Sequence, residues 1–247
     1  MSDSKDDSKV ELDAKPASPF EPTFPPPDTK PTSKRLFVGA RVSVATANAL
    51  AGAAETLARR ARDVGVDIRW VAPVNYHVTV KFLGHTREAA IAAVADALHA
   101  ATQNTQRITF RTTRLGGFPS LDKANVLWAG VEETGGVLTE LAKRVDASCE
   151  RLGYAIERRP FHAHVTLGRT REFRAIRDVV LPLAEQMFGD TRIDAITLFE
   201  SETKPSGSVY RELHRIDFTS NAPAAAERPP AETEDTDDGW PRGHVPE

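Results

Sequence analysis

Cysteine is nearly absent from this chain of 247 residues, in which only Cys149 occurs. A single cysteine cannot form an internal disulfide, so the cysteine content gives no indication of an oxidising compartment. Cys149 falls within a helical pattern of apolar residues. We therefore expect it to pack as a small apolar side chain, without a chemical role.

Long apolar segments are missing as well. The sequence contains no run of 18 apolar residues, so it predicts no membrane-spanning helix. The first residues are polar and acidic, and no apolar segment follows them, so we expect no secretory signal. Together these absences predict a cytoplasmic protein that acts without a membrane.

Proline is concentrated at the two ends of the chain, where residues 1–33 and 221–247 hold twelve of the 17 prolines. These segments carry net charges of −3 and −5 and few large aliphatic residues. They cannot bury enough apolar surface to offset the entropy of ordering, so we expect two disordered acidic tails. The folded domain is then residues 34–220, with a net charge of +5, which is compatible with an anionic substrate.

Hydrophobic patterning predicts an α+β domain, because strands and helices alternate irregularly and several strands are joined by tight loops. The expected strands are residues 35–40, 66–70, 76–83, 108–115, 125–131, 161–169, 193–200 and 209–218. The expected helices are residues 44–63 ending at Gly65, 86–102 capped by Thr86, 136–152 ending at Gly153, and 172–187 ending or kinking at Pro182. We expect Gly84 to end the third strand and residues 116–120 to form a loop.

The pattern His-apolar-Thr-apolar occurs twice, at residues 77–80 and 164–167. Each copy lies between two expected helices, so the halves of the chain resemble two copies of one strand–helix–strand unit. On a strand, residues i and i+2 share a face, so the His and Thr of each copy project together. The same alternation places Lys81 on the face of His77 and Phe82 on the opposite face.

Two such motifs facing each other bring two imidazoles and two hydroxyls into one cleft. Thr79 and Thr166 can donate hydrogen bonds to phosphate oxygens, while His77 and His164 share acid and base roles on opposite sides of phosphorus. Both protonation states of histidine are populated near neutral pH, because its ordinary pKa is about 6.5. One such motif alone is more often a surface feature, but two copies with matching apolar residues indicate a phosphoester site.

A metal site at His162 and His164 is an alternative, since two histidines at i and i+2 on a strand can bind one ion. The charged neighbours in sequence are Arg158, Arg159 and Arg169 rather than acidic residues or cysteine. Positive charge is unfavourable beside a metal ion and useful beside a phosphate. We therefore expect no metal and no cofactor.

At these residues the sequence resembles the bacterial and archaeal RNA 2′,3′-cyclic phosphodiesterases of the two-histidine phosphoesterase superfamily, historically called 2′-5′ RNA ligases. The resemblance covers about residues 34–219, and one departure is Ala163, where the family usually has proline. It rests on residues 35–38, 70–73, 77–84, 117–119, 126–130, 159–161, 164–169, 198–201 and 209–210.

The resemblance implies two pseudo-symmetric lobes with antiparallel sheets that face a central cleft, with helices outside. It implies hydrolysis of a terminal 2′,3′-cyclic phosphate of RNA to a 2′-phosphomonoester, without metal. His77 would then be the proton donor to the departing 3′-oxygen, and His164 the proton acceptor that activates water. Thr79, Thr166 and Arg169 would bind the phosphate.

Further substrate contacts are open. Lys81 is a candidate phosphate contact because alternation puts it on the face of His77. The candidate base-stacking residues are Phe37, Phe118, Phe161 and Tyr210, with core packing favoured for Phe37 and Phe161.

The reaction itself also has alternatives. One is a phosphodiesterase or ligase acting on 2′-5′-linked or other nucleotide cyclic phosphates. Another is a module that binds RNA ends without turnover. In each case we expect a monomer, because the pseudo-twofold closes the site within one chain.

Overall fold

A computed structural model describes residues 32–204 and 207–218 of the chain. The predicted tails, residues 1–33 and 221–247, lie outside this part except for residues 32 and 33, as do residues 205–206 of the last predicted turn. Ser33 already belongs to the first strand. No helix in the described part is long and apolar enough to cross a bilayer.

The described residues form nine strands and four α-helices. The strands are β1 (Ser33–Arg41), β2 (Arg69–Trp70), β3 (His77–Arg87), β4 (Ile108–Ser120), β5 (Lys123–Glu133), β6 (His164–Arg174), β7 (Met187–Ile193), β8 (Ala195–Lys204) and β9 (Gly207–Asp217). The helices are α1 (Val44–Asp63), α2 (Ile91–Thr102), α3 (Val137–Glu150) and α4 (Arg177–Val180).

The strands form an antiparallel sheet with two halves, each containing one of the two motifs. One half has the order β7-β4-β5-β6, with β2 paired to β6, and the other has the order β3-β1-β8-β9. The halves meet where Val78 of β3 pairs with Val165 of β6. The sheet is curled into a half-barrel, which confirms the predicted α+β class and joins the two expected sheets into one.

The helices pack on one face of this sheet and enclose the core with it. α1 packs against β7 and α4, whereas α2 packs against α3 and β9, and α3 against β3. Each of the first three helices therefore covers a strand that is distant in sequence. The core contains side chains from both layers, among them Val38, Leu57, Val78, Leu141 and Val165. The other face of the sheet is left for the polar residues of the motifs.

The helix ends follow the expected chemistry of caps. The hydroxyl of Ser43 accepts a hydrogen bond from the backbone N–H of Thr46 at 3.2 Å, which starts α1. Gly65 has φ +68 just after the last turn, so the predicted end of α1 at this glycine is confirmed. At α3, the carboxylate of Glu133 accepts from the N–H of Val137 at 3.0 Å.

Cys149 lies on α3 and is fully buried. Burial raises the pKa of its thiol to about 11, so the thiol stays protonated at neutral pH. The prediction that Cys149 packs as an apolar residue is confirmed.

The predicted end of the third strand at Gly84 is wrong. Gly84 has φ +69 and pairs with Leu36 at a bulge, so β3 bends there and continues to Arg87. Thr86 is therefore a strand residue and not a helix cap. Its hydroxyl lies 3.2 Å from the hydroxyl of Tyr154, which donates to it.

The predicted loop at residues 116–120 is also wrong, because these residues extend β4. A Cβ at Gly116 would lie 2.2 Å from the ring of Trp128, and one at Gly117 would lie 2.9 Å from Ala124. These glycines therefore serve close packing against the neighbouring strand and do not form a turn.

The predicted helix at residues 172–187 is wrong over most of its length. Its first residues complete β6, where Arg174 pairs with Ala124. Only Arg177–Val180 is α-helical, and the chain forms β7 from Met187 onward. Pairing with neighbouring strands outweighs helix propensity at both ends of this segment.

Candidate active site

The pairing of Val78 with Val165 brings the two motifs together. Both valines are fully buried, so the residues on either side of each valine face away from the core. In an antiparallel pair this register puts each motif histidine opposite the threonine of the other motif. The four side chains on this face, all partly exposed, are His77, Thr79, His164 and Thr166.

Each motif histidine is held by a backbone carbonyl two residues earlier. Nδ1 of His77 lies 2.6 Å from the carbonyl oxygen of Asn75, and Nδ1 of His164 lies 2.7 Å from that of His162. A carbonyl oxygen can only accept, so Nδ1 carries the proton in both rings. Nε2 is therefore the nitrogen that is left to exchange protons in the site.

In the first motif the exchanging nitrogen already has a polar partner. Nε2 of His77 lies 3.0 Å from the hydroxyl of Thr79, which donates to it when the imidazole is neutral. Asn75, which anchors the other nitrogen, is buried, and its side-chain amide donates to the carbonyl of Ser208 on β9 at 2.8 Å. The ring of His77 is thus fixed from both sides.

Aromatic rings surround His77. Its ring centroid lies 4.8 Å from that of Phe37 and 5.2 Å from that of Tyr210, which meets it edge-on. These contacts limit the rotation of the imidazole and shield much of it from water.

The ring of His164 has an equivalent surrounding. Phe118 meets it edge-on at 5.0 Å, and Trp128 lies 6.4 Å away. His162 packs against the same two rings, at 5.2 Å from Phe118 and 5.0 Å from Trp128. Among the residues that the structure describes, no three His, Cys, Asp or Glu side chains are grouped as ligands for a metal ion.

Burial and positive charge both favour the neutral imidazole in this site. Burial lowers the pKa of His77 to about 4, and the charges of Arg41, His164 and Arg169 act in the same direction. The hydrogen bond to the carbonyl of Asn75 opposes this change. The pKa of His164 is lowered too, first by burial and then by the charges of neighbouring residues, including Arg169. The site is therefore electropositive, which suits an anion.

Comparison with known proteins adds to this geometry. The sequence model of a family described as LigT like Phosphoesterase matches residues 44–128 and again residues 130–210. Each match contains one of the two motifs. The chain belongs to the LigT-like phosphoesterase family.

Named relatives and solved structures match this chain over most of their own length. A protein of Aeropyrum pernix named RNA 2′,3′-cyclic phosphodiesterase is 29% identical over 160 residues, which cover 64% of this chain and 90% of the relative. A protein of Archaeoglobus fulgidus with the same name is 32% identical over 147 residues, covering 59% and 81%. The crystal structure of TT0787 of Thermus thermophilus has a TM-score of 0.64 and 26% identity, covering 76% of this chain and 99% of TT0787.

Most of the residues expected from the sequence lie around the two motifs, and their roles there stay predictions. Arg169 is exposed and pairs across the sheet with Val126 and with Arg69. Phe118 and Tyr210 lie against the motif histidines, and their expected contact with a substrate stays a prediction. Phe161 packs on the core, as favoured. Phe37 is buried as well, but its ring packs against His77.

The expected place of Lys81 in this LigT-like site is wrong. A bulge at Val80 reverses the alternation of β3, so Lys81 pairs with Val38 and faces the core. Its ammonium group is buried, bonds to the carboxylate of Asp146, and donates to the carbonyl of Ala155 at 2.8 Å. Lys81 therefore cannot contact a phosphate beside His77 in this arrangement.

Two features of the LigT-like site are missing from the sequence-based account. The anchors of the imidazoles are backbone carbonyls, and a backbone atom leaves no mark on residue identity. Arg41 is the second feature. Its Nε donates to Glu212 at 2.9 Å, and its guanidinium lies 5.1 Å over the ring of Phe199. Its position opposite His77 in the β1–β3 pair could have been inferred only from the register.

Proposed function

We propose that this protein hydrolyses the 2′,3′-cyclic phosphate at an RNA end and leaves a 2′-phosphomonoester. The observation that carries this proposal is the matched pair of imidazoles, His77 and His164, on one face of the sheet, each with Nδ1 bound to a backbone carbonyl and Nε2 left to exchange protons. The names of the relatives support it, and so does the E. coli LigT structure in complex with 3′-AMP, which shares the fold at a TM-score of 0.59.

The proton transfers use the Nε2 atoms of the two imidazoles. Nε2 of His164 accepts a proton from the attacking water, whose oxygen forms a bond to phosphorus. The bond from phosphorus to the 3′-oxygen breaks, and Nε2 of His77 donates a proton to that oxygen. His164 gains one proton from water and His77 loses one to the 3′-oxygen, so the two imidazoles together hold the same number of protons as before. The net change is the addition of water, and the product is a 2′-phosphate.

The phosphate oxygens need hydrogen-bond donors during this step. The hydroxyls of Thr79 and Thr166 project from the same face as the imidazoles and can donate to the non-bridging oxygens. The guanidinium of Arg169 adds positive charge. The hydroxyl of Thr79 contacts Nε2 of His77, and we propose that it donates to a phosphate oxygen instead when substrate binds.

The lowered pKa of His77 is compatible with its role as proton donor once substrate binds. Burial and the positive charges of Arg41 and Arg169 disfavour the imidazolium form of His77. A phosphodiester brings a negative charge to the same place, which favours the protonated ring and raises its pKa. Substrate binding therefore favours the protonated form of His77 that the reaction needs.

A single chain supplies both motifs, so we propose that the active unit is a monomer. We also propose that it acts in the cytoplasm. Light scattering of the purified protein during hydrolysis tests the oligomeric state, and activity that requires a dimer would contradict it.

The reaction is tested with a short labelled RNA that ends in a 2′,3′-cyclic phosphate. The full chain is incubated with it in the presence of EDTA, and the 2′- and 3′-phosphate products are separated. We expect complete conversion to the 2′-phosphate. A 3′-phosphate product would contradict the assigned leaving group, and no conversion by folded protein would contradict the proposed reaction.

A further inference from the structure

Two arginines face each other across strands β2 and β6. In the antiparallel register Arg69 of β2 pairs directly with Arg169 of β6. The side chains of directly opposite residues project from the same face of a sheet, and like charges at such a pair are destabilising. This arrangement therefore costs stability unless a negative charge lies between the two guanidinium groups.

The face from which the pair projects is the one that carries the motifs. On β5, Val126 and Trp128 are two residues apart and therefore share a face. Their partners on β6 are Arg169 and Thr166. Because Thr166 belongs to the second motif, Arg169 and its partner Arg69 lie on the motif face of the sheet.

The two guanidinium groups differ from other arginines of the sheet in having no acidic partner. Arg111 bonds to Asp190, and Arg211 bonds to Glu200. Among the residues that the structure describes, Arg69 and Arg169 have no ion pair and no side-chain hydrogen bond, and both are exposed. Their donors are therefore available to an anion from solution.

The arginine pair lies at the end of the site that holds His77. The register of the two motifs puts Thr166 opposite His77, and Arg169 follows Thr166 along β6. The charge of Arg169 lowers the pKa of both His77 and His164, whereas Arg69 is not among the described residues whose charges do so. Arg169 is thus beside the reacting groups, and Arg69 lies farther out on the same face.

Arg41 is the other arginine at this end, and it is less available to a ligand. It pairs with His77 between β1 and β3. Its Nε donates to Glu212 at 2.9 Å, and its Nη1 donates to the carbonyl of Val74. These bonds occupy donors that Arg69 keeps open.

The covalent structure of RNA brings a second negative charge to the same end. In the proposed reaction His77 donates a proton to the 3′-oxygen, so C3′ of the terminal ribose lies on the side of His77. C4′ is bonded to C3′ and carries C5′, which is linked to the preceding phosphate. That phosphodiester therefore leaves the site past His77, on the side where Arg69 projects.

We propose that Arg69 binds the phosphodiester that joins the terminal nucleotide of the RNA to the preceding one. This inference rests on the proposed function, because it takes the cyclic phosphate to lie between His77 and His164. A phosphate contact carries no sequence information, so Arg69 selects a polynucleotide end over a free nucleoside cyclic phosphate whatever its bases are. The charge of the phosphodiester also offsets the repulsion between Arg69 and Arg169.

A substrate with a charged or a neutral internal linkage tests this contact. One substrate is a diadenosine RNA that ends in a 2′,3′-cyclic phosphate, and its analogue has an uncharged methylphosphonate as the internal linkage. For the full chain we expect kcat/KM to be about 10- to 100-fold higher with the charged linkage, as for a hydrogen bond to a charged group. In Arg69→Ala this preference should be lost, while kcat/KM for the analogue should stay unchanged.

Two further variants serve as matched controls for Arg69→Ala. Arg69→Lys keeps the positive charge and should retain part of the preference. Arg62 is exposed in the last turn of α1, in the helical layer on the opposite face of the sheet, so Arg62→Ala should keep all of it. An equal loss with both substrates in Arg69→Ala would show a structural role and overturn the proposal. A wild type that does not distinguish the two linkages would overturn it as well.

Binding measurements separate a failure of this proposal from a failure of the proposed function. Isothermal titration calorimetry compares the diadenosine product that ends in a 2′-phosphate with its methylphosphonate form, so no turnover is needed. Tighter binding of the charged form that Arg69→Ala abolishes, in a chain that leaves cyclic phosphates intact, would contradict the proposed function and keep the role of Arg69. Hydrolysis of both diadenosine substrates with equal kcat/KM would contradict only the role of Arg69.

Discussion

Gly39 of β1 lies so close to Val78 that a Cβ at position 39 would be 2.7 Å from the Val78 carbonyl oxygen. The same Cβ would lie 3.2 Å from the ring of His77. We expect Gly39→Ala to push β3 away and to lower the free energy of unfolding by about 1 to 3 kcal/mol. Hydrolysis should fall as well, because a catalytic group misplaced by about 1 Å can cost about 100-fold in rate.

Gly52→Ala is the control for this substitution. Gly52 is in α1, and a Cβ there meets no other atom within 4 Å. Alanine should raise the free energy of unfolding by up to about 1 kcal/mol and leave the rate unchanged. Urea unfolding and initial rates measure both effects, and wild-type behaviour of Gly39→Ala would contradict the close approach.

The ion pair between buried Lys81 and partly buried Asp146 is a structural link and lies away from the face of His77. The carboxylate of Asp146 also accepts from the N–H of Glu157 at 3.2 Å, so the pair ties β3 to the segment before the second motif. Lys81→Ala leaves the carboxylate without its cationic partner, and we expect a loss of about 3 to 5 kcal/mol in stability.

Denaturant melts and Michaelis–Menten kinetics separate the two roles of Lys81. We expect KM for the cyclic phosphate to stay unchanged in the fraction of Lys81→Ala that remains folded. A raised KM with unchanged stability would return Lys81 to the substrate site. Lys143→Ala, on the exposed surface of α3, should change neither quantity.

His77 should make the folded state sensitive to acid. Burial lowers its pKa from 6.5 to about 4, so between these values the unfolded chain binds a proton that the folded chain does not. The free energy of unfolding is therefore highest above pH 6.5 and falls as the pH drops toward 4, by up to about 3 kcal/mol from this group.

Urea unfolding at several pH values between 4 and 7 measures this dependence on His77. His77→Gln should show a smaller loss of stability on acidification than the wild type. His85→Gln, which changes an exposed histidine on the same strand, should follow the wild type. An identical acid loss in His77→Gln and the wild type would contradict the burial of an uncharged imidazole.

The separate roles of the two histidines can be distinguished by the leaving group. A nucleoside 2′-(4-nitrophenyl) phosphate releases 4-nitrophenolate, which departs without a proton. With this substrate His77→Ala should lose little activity, whereas His164→Ala should still lose about 10²- to 10⁴-fold. If His164→Ala were the variant that recovers, the acid and the base would be exchanged.

The parts of the fold that follow local rules could be predicted from the sequence. The i, i+2 spacing of His77 and Thr79 puts both on one face, and caps such as Gly65 mark helix ends. The closing pair of strands β8 and β9 follows from alternation and turn residues. These features depend on residues that are close in sequence, so the sequence pattern predicts them.

The features that depend on distant partners could not be predicted. The bulge at Val80 depends on pairing with β1, and it turns Lys81 toward the core. Gly116 predicts a turn when only its neighbours in sequence are considered. Its close contact with the ring of Trp128 on the adjacent strand explains the glycine instead. Each error comes from a contact between strands, for which one sequence carries no local signal.

The central claim is that His77 and His164 act together in one site. It is tested most directly by the rate at which His77→Ala, His164→Ala and the double variant open a 2′,3′-cyclic phosphate on RNA, with circular dichroism to establish folding. We predict that each single variant loses about 10²- to 10⁴-fold and that the double variant is little slower than the slower single one, because both groups serve the same step. A folded single variant that keeps the wild-type rate would contradict the claim.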